Sequence, residues 1–156
     1  MINNTDPSGT FYLLNKKDQK VPLVFVHGVG LTHEIWKPQI DYFKDYTTLS
    51  YDILGHGKTP LKKTNISFDD FSEQLIELID ELKIEKIHLV GFSIGSLIAR
   101  NFATRYSERL QSLILTVTVV QRTRGITKPT RGSQRRRVDT KTQRGKTKAL
   151  RGKPSF

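Results

Sequence analysis

Ser93 lies between two glycines in Gly91-Phe92-Ser93-Ile94-Gly95, the spacing that a serine nucleophile requires. A serine that turns the chain sharply between a strand and a helix has its hydroxyl lifted above the sheet edge. Glycines two positions to either side let that tight turn pass its neighbours without a side-chain clash. A helix opening directly after Ser93 aims its N-terminal amides at the place where negative charge develops when the hydroxyl attacks a carbonyl. A second stretch, His27-Gly28-Val29-Gly30, ends an apolar run, and its glycines let a loop turn back over the sheet edge and present a backbone N–H. His27 itself reads as structural, because acyl chemistry asks for the loop and not for the imidazole. The third stretch runs from Asp52 through Gly55-His56-Gly57 to Pro60. Asp52 lies well upstream of the serine, so it reads as shaping this turn rather than orienting a base, and His56 is read in the same way. His88 alternates with Ile87 and Leu89 and reads as a sheet-face residue; His33, at a helix start, reads as solvated.

These residues need strands that end where they begin. Residues 21–26 form a continuous apolar run, the pattern of a strand buried on both faces of a parallel sheet. Residues 10–15, 47–54, 87–92 and 113–119 read as further strands. Helices are predicted over 33–44, with Thr32 as N-cap, and over 68–82, where Phe68, Phe71, Leu75, Leu78 and Leu82 recur at steps of three and four. Ser67 and Asp70 make a capping-box-like start to the second. A helix over 94–106 opens directly after Ser93. Strand and helix alternate throughout, which implies right-handed βαβ crossovers.

In this order the three stretches resemble the α/β-hydrolase fold superfamily, in the single-domain branch of esterases, enol-lactonases and C–C bond hydrolases. His27-Gly28-Val29-Gly30-Leu31 followed by Glu34-Ile35-Trp36 is especially similar to that branch, and the resemblance covers about residues 10–119. It implies an incomplete α/β-hydrolase: a mostly parallel sheet of about six strands flanked by helices. It implies that Ser93 is the nucleophile, that the backbone N–H groups of Val29 and Ile94 form the oxyanion hole, and that the substrate is a small ester, lactone or related carbonyl compound. Cofactor-free haloperoxidase or C–C hydrolase activity on the same fold is the alternative within this resemblance. The family places its acid and then its histidine after the serine. No histidine follows His88 in this chain, and the only acids after Ser93 are Glu108 and Asp139. Little activity is therefore expected of the chain as written. No metal or organic cofactor is implied.

Composition divides the molecule. The net charge of +11 is not evenly spread: residues 1–120 carry 13 Lys+Arg against 14 Asp+Glu, whereas residues 121–156 carry 13 basic residues and one acid. Only five of those last 36 residues are apolar, too few for a core. The expected organisation is an α/β-hydrolase part over 1–119 and a disordered tail over 120–156. Out-of-frame translation explains the abrupt change at Val120 best. The competing explanation makes the tail a nucleic-acid-binding arm and the chain a non-catalytic binding module, but Phe156 is its only aromatic, leaving almost nothing for base stacking. There are no cysteines, no signal-like start and no apolar run long enough for a membrane span, so a cytoplasmic location is expected. The sequence specifies no oligomeric state.

Overall fold

The structure, a computed structural model, describes residues 2–18 and 21–116. Six strands form one sheet: β1 (Ile2–Thr5), β2 (Phe11–Asn15), β3 (Leu23–Val26), β4 (Thr48–Tyr51), β5 (Ile87–Phe92) and β6 (Leu110–Thr116), in the order β1-β2-β4-β3-β5-β6. β1 and β2 are joined antiparallel, and β2 joins β4 antiparallel. The pairings β4–β3, β3–β5 and β5–β6 are parallel, with crossovers through α1 (Lys37–Tyr42), α2 (Phe68–Glu81) and α3 (Ile94–Arg105).

The apolar run of β3 is continuous because both faces of the sheet are covered. Val24 and Val26 enter one cluster with Leu49, Tyr51, Ile87 and Leu89, closed by Leu75, Leu78 and Ile79 of α2 and by Ile98, Ala99 and Phe102 of α3. Phe25 points the other way, into a smaller cluster with Val90, Trp36 and Ile40. The period of two along each strand thus distributes side chains to opposite layers. At the start of α2 the Asp70 carboxylate accepts from the backbone N–H (2.8 Å) and hydroxyl (2.9 Å) of Ser67 and so holds the first turn closed.

Several boundaries differ from the sequence expectation. The helix predicted over 33–44 is a 3₁₀ turn (His33–Trp36) followed by the short α1. Pro38 lacks the N–H that would bond back into the preceding turn, so the α-helix can begin only beside it. The strand predicted over 47–54 stops at Tyr51: Asp52 N–H still reaches the Phe11 carbonyl (3.0 Å), but the two N–H groups after it are taken by side chains, Ile53 donating to His27 Nε2 (3.1 Å) and Leu54 to Gln74 Oε1 (3.1 Å). β1 was not expected from its polar sequence, and it exists through its ladder with β2. β6 begins three residues before the predicted 113, and residues 117–119 of that expected strand lie outside the described residues. So does the whole expected tail over 120–156.

Candidate active site

The parallel order brings the C-terminal ends of β4, β3 and β5 side by side, and the three motifs leave the sheet there. β5 ends at Phe92 and α3 begins at Ile94, so Ser93 alone turns the chain. It does so at φ 56° and ψ −121°. Lys83 is the only other non-glycine residue at positive φ among the described residues. Such a posture costs an L-residue about 1–3 kcal/mol and persists where its surroundings enforce it. Here the enforcement is visible. Ser93 N–H donates to the Thr116 carbonyl (3.1 Å), and the Ser93 carbonyl accepts from Ser96 N–H (2.9 Å). The Gly91 carbonyl accepts from Ser96 Oγ (2.8 Å) and from Thr116 Oγ1 (2.9 Å).

The flanking glycines are demanded by close backbone approach. A Cβ at Gly91 would run into the Gly95 carbonyl, and one at Gly95 would run into the carbonyls of Val26 and His27. The first turn of α3 therefore lies directly against the end of β3. Gly28 closes the other side: a Cβ there would stand 3.2 Å from Ser93 Cβ and 3.3 Å from Phe92 Cδ1. The loop after β3 consequently rests on the serine, with Val29 exposed next to it and Gly30 at φ 72°. Among the described residues Ser93 Oγ has no hydrogen-bond partner, and the N–H groups of Val29 and Ile94 donate to no protein acceptor. A shallow cavity of about 260 Å³ opens beside the turn, lined by Ile35, Trp36, Gln39, Phe92 and Thr116.

Asp52, fully buried, is the hub of the third motif. Its Oδ1 accepts from His33 N–H (2.7 Å) and from His33 Nδ1 (2.8 Å), and its Oδ2 accepts from Lys58 N–H (2.9 Å). Gly57, at φ 53°, leaves room for that carboxylate, into which any Cβ would collide. Gly55, at φ 74°, sits in the same turn. Burial would raise the Asp52 carboxyl, but the hydrogen bonds from Lys58 and His33 outweigh it and hold the group below the usual carboxylate range. His27 is fully buried; its Nδ1 donates to the Gly28 carbonyl (2.8 Å) while its Nε2 accepts from Ile53 N–H. Burial pushes its pKa below 6.5, against the opposing pull of the Gly28 carbonyl and Asp52. His56 faces it, ring centroids 5.4 Å apart, with Nδ1 against the Leu54 carbonyl (3.0 Å).

His33 corrects the sequence expectation. Rather than solvated, it is buried, tied to Asp52 and packed on the Phe11 ring at 5.0 Å. Its partner stands 19 residues away across two loops, and no local pattern reports such a contact. His88 bonds Ser112 Oγ through Nδ1 (2.7 Å), five residues before Ser93 on β5, or roughly 16 Å along the strand. It does not serve Ser93.

The match to known proteins is extensive. The family model described as alpha/beta hydrolase fold matches residues 21–152. The chain belongs to the α/β-hydrolase fold family. Curated relatives from Acinetobacter baylyi (strain ATCC 33305 / BD413 / ADP1) include an (E)-2-((N-methylformamido)methylene)succinate hydrolase, 36% identical over 103 residues, 65% of this chain and 39% of the relative. A 3-oxoadipate enol-lactonase from the same organism is 31% identical over 100 residues, 64% of this chain and 37% of the relative. Among solved structures, a hydrolase from Pseudomonas aeruginosa PA01 superposes with a TM-score of 0.65 at 25% identity, over 68% of this chain and 40% of that one. The chain spans about two fifths of the length of the curated relatives it matches. The Gly-x-Ser-x-Gly stretch lies at the turn between β5 and α3, and the family match runs on beyond residue 119 to residue 152. Among the described residues no group of three or more His, Asp or Glu is arranged to hold a metal ion, and no helix is long and apolar enough to cross a membrane.

Proposed function

We propose that this α/β-hydrolase chain carries the nucleophile and the oxyanion-binding loop of a serine hydrolase for an ester, lactone or related carbonyl substrate. Ser93 Oγ attacks the carbonyl carbon, and the N–H groups of Val29 and Ile94 receive the oxygen as it becomes negative. The observation that carries this reading is the positive φ of Ser93 at the β5–α3 junction, with Gly28 seated against it. Strain placed on a half-buried serine, with amide N–H groups at Val29 and Ile94 that have no acceptor among the described residues, has no folding benefit that a glycine would not supply more cheaply. The lactonase and hydrolase named among the relatives support the same substrate class.

Proton transfer is the weak step. Among the described residues none of His27, His33, His56 and His88 makes a hydrogen bond to Ser93 Oγ. A serine hydroxyl with no base bonded to it is a poor nucleophile near neutral pH. We therefore expect slow covalent labelling with turnover near background. Residues 1–119 are read as the hydrolase part, and residues 120–156 as a separate basic segment.

A fluorophosphonate probe tests the assignment. Slow stoichiometric labelling at Ser93, abolished in Ser93→Ala, is the expected result, alongside p-nitrophenyl acetate hydrolysis near the uncatalysed rate. Labelling that survives the substitution would remove Ser93 from the role.

A further inference from the structure

Past Gly28, which seats against Ser93 and Phe92, the loop between β3 and the 3₁₀ turn lies open. Val29 is 64% exposed, and among the described residues nothing lies within 4 Å of where a Gly30 side chain would begin. Within the loop, Leu31 N–H donates to the Gly28 carbonyl (3.2 Å), a turn that does not attach the segment to the rest of the molecule. Its anchors are at its two ends, and both go to the same place. At the front, His27 bridges the Gly28 carbonyl and Ile53 N–H. At the back, His33 delivers both its backbone N–H and its ring Nδ1 to one oxygen of Asp52. Residues 52 and 53 are adjacent, so the segment is a strap fastened at either end to one point at the exit of β4.

We propose that His33 is a positioning residue: with Asp52 it fixes the back end of the loop that carries Val29 N–H, and so sets where that amide points. The proposal rests on the reading of Val29 as an oxyanion donor. Chemistry favours His33 over a neutral packing role. A buried carboxylate accepting two donors from one residue binds it more strongly than a neutral acceptor would, and Lys58 N–H on the other oxygen prevents the carboxylate from turning away. The ring packs against Phe11 at a tilt of 53°, and because Nδ1 lies 2.8 Å from a carboxylate oxygen, which only accepts, the tautomer presented to Asp52 is the Nδ1–H form. The other ionisable neighbours of the pair are His27, with Nε2 4.0 Å from Asp52 Oδ1, and His56 behind it.

Amide exchange in the full chain is the test, because it needs no turnover. His33→Phe keeps a ring against Phe11 but removes the Nδ1 donor. Exchange at Leu31 and at residue 33, whose N–H groups donate to Gly28 and Asp52, should quicken roughly tenfold, the loss of one charge-assisted hydrogen bond, while β3 and β5 remain as protected as before. His33→Asn, whose Nδ2 falls where Nδ1 stood, should restore most of the protection. In phosphonate labelling of Ser93 the same two variants should fall and recover in parallel. Unchanged loop exchange in the phenylalanine variant, or an asparagine variant no better than it, would overturn the proposal. Should either variant fail to fold, imidazole nitrogen shifts of the unaltered chain decide: His33 protonated only at Nε2 would also overturn it. If Ser93 accepts no probe in any variant, the nucleophile reading fails, and the exchange data still decide whether His33 holds the loop.

Discussion

At Gly95 a hydrogen atom separates a working turn from a broken one. The position faces the carbonyls of Val26 and His27, two backbone groups that cannot rotate aside. Gly95→Ala should therefore cost about 1–3 kcal/mol in urea unfolding, and phosphonate labelling of Ser93 should fall with it as α3 is pushed off β3. An unchanged unfolding midpoint would mean that the first turn of α3 is looser than its contacts imply. The need for small residues at 91 and 95 was legible in the sequence because the constraint is local: a five-residue turn carries its own steric logic. The burial of His33 was not legible, since Asp52 became its neighbour only when β4 and the loop after β3 met. The same applies to His27, whose structural reading came from what the chemistry did not need rather than from any sign of Ile53 as its partner.

Elements whose apolar pattern repeats were read well, and those made by pairing alone were not. α2 runs from the predicted Phe68 because its apolar face and the Ser67–Asp70 start agree. β1 has no such pattern and is a product of β2's open edge. β6 is the informative case. Its register with β5 is continuous from His88 to Phe92, yet among the described residues nothing pairs with its outer edge. Leu110–Thr116 contains no charged residue, proline or glycine, and Ile114 and Leu115 are exposed. Its one register shift lies at Gln111, at the start of the strand; the regular stretch beyond it, without lysine or proline to blunt it, is of the kind that templates pairing with other chains. Ile114→Lys should lower light scattering of concentrated solutions at unchanged secondary structure by circular dichroism. Equal scattering from the variant and the unaltered chain would place the association elsewhere.

For the molecule as a whole, acid is the vulnerability. His27 has both ring nitrogens engaged while neutral, Nδ1 as donor and Nε2 as acceptor, so protonation would cost the Ile53 bond. With its native pKa below the unfolded 6.5, the unfolded chain takes up a proton that the native chain does not as pH falls through that value. Stability therefore declines on acidification from about pH 7. Asp52 acts in the same direction lower down: its native carboxyl is depressed, so its contribution is complete above about pH 4 and is lost as pH falls through the native pKa. A thermal-unfolding series should show Tm falling steadily between about pH 7 and pH 5, and His27→Gln should flatten that slope while lowering Tm throughout. A slope unaltered by the substitution would assign the acid sensitivity to other groups. The hydrogen bond from Ser93 to the carbonyl of Thr116 carries one more implication. The backbone N–H of the proposed nucleophile is tethered to β6, the outermost strand among the described residues, so any fraying or capture of that strand slackens the tether. How readily the alcohol accepts a probe then becomes a gauge of how intact the margin of the sheet is, with no spectroscopic label needed to read it.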